Sequence, residues 1–454
     1  MTSWMKFCKQ PLSRVKSIIP SSRLLFLLFL GLIGTVAGAG WGWGWLFFGL
    51  SNGLIAGLVA IDAWMLSQMP PFTARRKTDF LFELEEDNSV TLHLETSVPV
   101  TVRTWVRDDY PQGFQVSART LEVNWEDETK KTVLYHARPH RRGRHRFQDI
   151  HLRVESKWKL LIWQQTISAP LEVKVYPRLE SVRRVRKGLY RRQSMAEGSP
   201  VARAFGDGRE FSHIREYLPD DDPRNINWMG TARQGKLVSN VFQPEVGQQV
   251  AILIDCGRMM GVQNDGQSQL DRALEAALGY AAIALERGDR VSFLAFSNRV
   301  LRWVPLGKGM SHLQRIIEAS FDLDAGYVES DYLQVWDFIG SSHRSKTLIT
   351  LFTDAANLAF SETMPSFIAR AKKKHLVMTV SMQDPRLKRL GTLPLQSEEA
   401  VYQSLVVKQL HEERKQALQQ WGSKKVVALD VEPDKLASAV IHSYLQIRNR
   451  ANQG

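Results

Sequence analysis

GREFSHIREYLPDDDPRNINWMGTARQGKLVSNVFQPE, residues 208–245, mixes charge, turn and aromatic signals that a plain core segment does not need. Pro219 and Pro223 limit the backbone around Asp220, Asp221 and Asp222, so this run reads as a turn packed with acidic side chains. Arg215, Arg224 and Arg233 are placed to balance Glu210, Glu216 and those aspartates, with Tyr217 and Trp228 between them. One reading is a structural network of ion pairs and hydrogen bonds that joins a linker to the domain after it. Another is a docking surface. A third, hydrolysis using Asp222 and His213, lacks a nucleophile motif, a phosphate-cradling glycine loop and metal-ligand spacing.

Downstream, strands and helices alternate, the pattern of a doubly wound α/β sheet over residues 246–450. Strands are expected at 250–254, 291–296, 347–352, 376–381 and 426–429, and helices near 267–287, 311–320, 363–373, 397–420 and 433–448. Ligands of such sheets bind at the C-terminal strand ends, where Asp255 and Asp354 fall. The arrangement resembles a von Willebrand factor A domain. That resemblance implies a magnesium site built from an Asp-x-Ser-x-Ser motif, a threonine from a later loop and a further aspartate. Asp255 matches the first aspartate, Ser311 stands near the threonine position, and Thr353 and Asp354 resemble the final pair, but Gly257 and Met259 replace the two serines. The expected metal set, Asp255, Ser311, Thr353 and Asp354, is therefore degenerate for an ion that demands six oxygens. Arg258, three residues after Asp255, is the alternative, a guanidinium that takes the cation's place.

Upstream, residues 78–178 alternate apolar and polar positions in short runs such as SVTLHLE and PLEVKVYP, which predicts an antiparallel β-sandwich. His136, His140, His145 and His151 crowd it, but spacings of four, five and six put them on mixed faces of strands, and no cysteine accompanies them as a zinc ligand. Residues 179–245 form a basic linker followed by the segment quoted above. Its arginine run at 183–192 reads as a solvated face that anionic lipid would attract.

At the N-terminus a basic tail, residues 1–23, precedes two apolar spans within 24–66, each near the length that crosses hydrocarbon. The glycine-rich turn between them carries tryptophans suited to the headgroup zone. This predicts a transmembrane helical hairpin, with Asp62 near its inner end as an interface carboxylate. The basic flanks, 6–23 and 75–77, place both termini and the soluble domains in the cytoplasm. A signal peptide cleaved after Ala37, Gly38 and Ala39 is the competing reading. The 454-residue chain carries a net charge of +13, but the excess sits in clusters that membrane topology explains better than nucleic acid does. Cys8 and Cys256 form no disulfide framework.

Gly208, Glu210, Arg215, Glu216, Tyr217, Pro219, Asp221, Asp222, Arg224, Trp228 and Arg233 together resemble the hallmark of a bacterial family known as domain of unknown function 58. Residues 141–154 resemble its Arg-Gly strand pair. The chain departs from the family at Asp220, where relatives carry glycine, and at residues 157–161, where they carry a Pro-Phe-Gly-Leu-type turn. The resemblance implies a membrane-anchored, non-enzymatic adaptor in the bacterial inner membrane. It also implies a MoxR-type AAA+ ATPase as partner, in chaperone-like assembly or maturation. No Walker loop occurs in the chain, and no cofactor is expected. A structural scaffold of the cell envelope is the alternative.

Overall fold

The computed structural model describes residues 16–40, 42–79, 81–187, 209–218, 223, 226–244, 247–264, 266–354, 361–383, 402, 405–409, 412–413, 416 and 426–451. The chain divides into two units, Met1–Val175 and Tyr176–Gly454.

In the first unit, helices α1 (Ser22–Ala39) and α2 (Gly44–Ser67) form the expected hairpin, with mean hydropathies of 1.9 and 1.7. Both are long and apolar enough to cross a membrane. The Ser21 side chain accepts a hydrogen bond from Leu24 N and so caps α1. The helices approach closely because Gly38 lies against Phe47, where any Cβ would collide with the ring. Leu25, Phe26, Phe29, Leu50 and Leu54 stay exposed along the hairpin.

The sandwich begins earlier than residue 78. Strand β1 (Lys16–Pro20) pairs antiparallel with β11 (Leu161–Ile167), so the end of the basic tail is sandwich backbone. Isolated in sequence, those five residues carry no alternation strong enough to reveal a strand whose partner lies about 145 positions away. Between them run β2 (Phe72–Thr78), β3 (Leu81–Glu83), β4 (Asn88–Val100), β5 (Arg103–Asp108), β6 (Phe114–Val116) and β7 (Leu121–Asn124). The strands β8 (Glu128–Pro139), β9 (Gly143–Phe147), β10 (Ile150–Glu155) and, after β11, β12 (Leu171–Tyr176) complete the unit. They form sheets in the orders β1-β11-β10-β5-β7, β2-β4-β8-β6 and β3-β12-β9. Alternate residues turn inward, among them Leu92, Leu94, Val106, Leu152, Val154 and Trp163. The buried Arg76–Asp108 ion pair is completed by Tyr135, whose hydroxyl donates to Asp108 at 2.6 Å.

Asp62 is fully buried where α2 meets the sandwich. It accepts from Ser156 Oγ at 2.6 Å and from Trp158 N at 3.3 Å. The turn that departs from the family pattern is thus the joint to α2, with Lys159 at a φ of 61°. The four histidines do not converge. His140 meets Glu85, His145 meets the Arg141 carbonyl and His151 meets Thr166. No group of three His, Cys, Asp or Glu that could hold a metal occurs among the described residues.

The second unit opens with α3 (Glu180–Arg186), a correction to the reading of this stretch as linker alone. Val182 and Val185 are buried in the α/β core while Arg183, Arg184 and Arg186 face solvent. Next come β13 (Arg209–Glu216), α4 (Trp228–Gln234) and β14 (Val238–Pro244), the two strands pairing antiparallel as a separate two-stranded sheet. Then follow β15 (Gln249–Asp255), the short pair β16 (Gln263–Asn264) and β17 (Gln267–Ser268), and α5 (Gln269–Glu286). The remainder is β18 (Arg290–Phe296), β19 (Val300–Gly307), α6 (Met310–Ser320), α7 (Tyr332–Ser342), β20 (Thr347–Phe352), α8 (Met364–Lys374), β21 (Leu376–Met382), β22 (Val426–Val431) and α9 (Leu436–Ala451).

Six strands form one sheet in the order β19-β18-β15-β20-β21-β22. Only β19 is antiparallel, an edge strand the sequence pattern did not single out. The central strands are buried on both faces and therefore read as continuous apolar runs. Val250, Ile252 and Ile254 pack toward α5, α6 and α9, while Ala251 and Leu253 pack toward α7 and α8, so the sheet is doubly wound. The chain runs outward from β15 to β18 and returns on the other side at β20, which puts the switch point between β15 and β20. The helix expected at 397–420 falls largely outside the described residues.

Candidate functional site

Strands β15 and β20 pair in parallel with Ile254 opposite Phe352, and this register sets Asp255 beside Thr353 and Asp354 at the switch point. Thr353 reaches Asp255 directly, and Asp354 follows it at the same strand end. Asp255 is fully buried, and an unpartnered carboxylate there would be costly. Among the described residues four groups donate to it. Gly257 N donates to Oδ1 at 2.8 Å, Tyr332 OH to Oδ2 at 2.8 Å and Thr353 Oγ1 to Oδ2 at 2.7 Å, while Ser330 Oγ donates to Oδ1. The two hydroxyl oxygens of Tyr332 and Thr353 converge on the same carboxylate oxygen and lie 2.8 Å apart. Tyr332 opens α7, and the preceding Asp331 caps that helix by accepting from Leu333 N and Gln334 N.

Ser311 does not belong to this cluster. It lies in the first turn of α6, next to His312, whose Nε2 bonds the Val291 carbonyl at 2.8 Å. Val291 pairs with Val250, whereas Asp255 pairs with Phe296, so this contact is at the opposite end of the strands. Ser330 and Tyr332, from the loop and helix before β20, supply the hydroxyls instead. The run YVESDY, residues 327–332, carried that signal, but without the register nothing tied it to Asp255.

The arginine alternative is also corrected. Arg258 pairs with Glu329 at 3.5 Å, on the surface, rather than with either aspartate. The hydroxyls of Ser330, Tyr332 and Thr353 donate to the Asp255 carboxylate instead. The donor set does not fit magnesium. Gly257 and Met259 offer no side-chain oxygen, and a Cβ at 257 would displace Ser330 Oγ from its place against Asp255. The hydroxyls of Ser330, Tyr332 and Thr353 are already directed at the two oxygens of Asp255.

Above this closed cluster the loop 324–330 is pinned by its backbone. Gly326 N donates to the Cys256 carbonyl at 2.8 Å and Arg258 N to the Val328 carbonyl at 3.0 Å. Between these two anchors Tyr327 stands 98% exposed, beside the partly exposed Val328. A large aromatic held rigidly in water on a short, hydrogen-bonded loop is what an interface anchor requires.

The hallmark segment forms a hairpin interrupted by α4. Asn227 caps α4 by accepting from Gly230 N at 2.7 Å, and its amide donates to Asn240 at 2.8 Å. Gly235 ends α4 at a φ of 67°. Tyr217 N donates to the Leu237 carbonyl at 2.9 Å, which closes the hairpin next to α4. Arg215 and Tyr217 are half-buried on this hairpin, Arg233 is exposed, and Trp228 and Met229 are 70% and 71% exposed at the start of α4. Glu210 lies in β13, while Asp221, Asp222 and Arg224 lie outside the described residues.

Buried histidines, not anticipated from the sequence, lie at the other end of the sheet. His343 Nε2 is 3.2 Å from Ser292 Oγ, and His375 Nδ1 accepts from Thr347 N at 3.2 Å. Burial, with a smaller contribution from nearby His375, pushes the His343 pKa down from 6.5 to about 4. Burial likewise lowers His375.

No curated protein matches the chain. Among solved structures, BatB from Bacteroides thetaiotaomicron, described as a conserved hypothetical protein, is similar at 13% identity and a TM-score of 0.29, covering 45% of this chain and 100% of its own. The vWF domain of the type V pili tip protein Mfa5 from Porphyromonas gingivalis is similar at 11% identity and a TM-score of 0.27, covering 46% of this chain and 97% of its own. The CARDB domain of the PF1109 protein from Pyrococcus furiosus is similar at 12% identity and a TM-score of 0.16, covering 24% of this chain and 94% of its own. The family model described as "Protein of unknown function DUF58" matches residues 213–424, from the hallmark hairpin through Asp255, Tyr327 and Asp354, so over this region the chain is similar to the DUF58 family.

Proposed function

We propose that this chain is a membrane-anchored protein-interaction module whose binding face lies at the C-terminal ends of β15 and β20. The observation that carries the reading is Tyr327, 98% exposed on a loop held by two backbone hydrogen bonds above the satisfied Asp255 cluster. A buried carboxylate filled by donors offers no open position for a substrate or a water, which argues for recognition over turnover. The cluster acts as a metal-independent latch that fixes the rim. The exposed Trp228 and Met229 of the hallmark hairpin offer a second set of apolar contacts.

The hairpin of α1 and α2 anchors the module as a multi-pass protein of the bacterial inner membrane, with termini and soluble units in the cytoplasm. Lys6 and Lys9 before α1, Arg23 in its first turn, and Arg75, Arg76 and Lys77 after α2 support this orientation. The partner suggested by the family resemblance is a MoxR-type AAA+ ATPase, with the module acting as its adaptor in assembly or maturation. Purification of the intact protein from its native membrane in ATP or ADP separates this reading from a static scaffold. An adaptor gives ATPase recovery that changes with nucleotide. Envelope proteins recovered identically in both nucleotides, without an ATPase, refute the adaptor role.

A further inference from the structure

On the outer face of the sheet β1-β11-β10-β5-β7 lies an open groove of about 570 Å³. Strand register assembles it. Arg153 pairs with Trp105 on one side and Gln164 on the other, and His151 pairs with Arg107. Arg107 follows Trp105 by two residues, which makes it the diagonal neighbour of Arg153 on the same face, at a Cβ separation of roughly 7 Å. Two guanidiniums at that spacing can close on one phosphate. Arg153 donates to Gln164 at 3.3 Å, and neither arginine is ion-paired among the described residues. One carboxylate, Asp109, lines the groove, on the far side of Arg107.

The same register places the groove relative to the helices. Pro20, one residue before the α1 cap, pairs with Leu161, and Ile19 pairs with Ile162, which lines the near end of the groove. Gln164, in the row of Arg153 and Trp105, is three residues further along β11, about 10 Å at the rise of a strand. Arg23 and Trp64, both exposed, flank this level on α1 and α2, as interfacial anchors do. The polar zone of a bilayer leaflet is about 5–8 Å deep, and an arginine side chain spans the remainder.

We infer that this groove binds the phosphate of an acidic phospholipid headgroup, clamped by Arg107 and Arg153 beside Trp105. The inference rests on the membrane-anchored reading. The groove then seats the sandwich against the leaflet and makes its attachment depend on anionic lipid.

The test uses the full-length protein in neutral detergent micelles, titrated with phosphatidylglycerol, phosphatidylcholine or inorganic phosphate, with bound lipid read by native mass spectrometry and unfolding by a thermal scan. Phosphatidylglycerol is expected to bind and raise Tm, phosphatidylcholine and inorganic phosphate to do neither at equal concentration. The exposed double variant Arg107→Gln/Arg153→Gln is expected to lose at least tenfold in phosphatidylglycerol affinity while its circular dichroism is unchanged. Equal binding of phosphatidylcholine, equal binding by the variant, or inorganic phosphate binding as tightly as the lipid each overturns the proposal. Carbonate washing of native membranes separates the two readings. Protein retained there that fails to bind phosphatidylglycerol sinks only the lipid site, whereas protein washed off removes the membrane anchor and this site with it.

Discussion

Asp255 shows how one buried carboxylate is held by hydrogen-bond donors. Its four donors come from three chain segments, so Asp255→Ala leaves a backbone N–H and hydroxyls unpaired at a cost of roughly 3 kcal/mol. Urea denaturation measures that loss, and for the native protein added magnesium or a chelator is expected to leave the midpoint unchanged. The sequence located Asp255, Thr353 and Asp354 because strand ends are legible from apolar runs. It misassigned Ser311 because a hydroxyl in a loop says nothing of which end of the sheet it reaches. His343 gives a prediction of opposite character. Its folded pKa, about 4, lies below its ordinary 6.5, so between these values the unfolded chain binds more protons than the folded one. Its contribution is fully present above pH 6.5 and is lost as pH falls toward 4, with a limit on the order of 3 kcal/mol. Stability measured at pH 7, 5.5 and 4.5 is expected to fall less steeply in His343→Gln.

Among the elements, the joint between α2 and the sandwich depends on Asp62, which reaches the turn after β10 through Ser156 and Trp158. Ser156→Ala removes the shorter of these bonds from a buried carboxylate and is expected to cost about 1–3 kcal/mol, read from thermal unfolding of the full-length protein in micelles. An unchanged Tm means that the helix is held by the packing of Leu58, Leu66 and their neighbours alone. The hairpin itself was legible from hydropathy, and so was the alternation of the sandwich strands. Strand β1 was not, because it is specified by its partner β11 rather than by its own pattern. The helix α3 was hidden by its arginines. Val182 and Val185 alone give too short an apolar period to stand out, yet Ser181 packs so closely on α5 that Gly279 leaves no room for a Cβ.

For the whole molecule, the doubly wound order of the second unit follows from alternating strands and helices, and the switch point follows from that order. What the sequence could not show is which loop stands above the switch point, since Tyr327 reads there as an ordinary loop tyrosine. Its side chain is nearly free of protein contact, so Tyr327→Ala is expected to change stability by no more than about 0.5 kcal/mol. As an interface anchor it is expected to cost tenfold or more in affinity. The most direct measurement is quantitative mass spectrometry of proteins recovered with the intact chain from its native membrane, wild type against Tyr327→Ala at matched expression. An interface anchored on Tyr327 predicts one or more proteins recovered with the wild type and depleted at least tenfold with the variant. The same proteins recovered in equal amounts with both would contradict it.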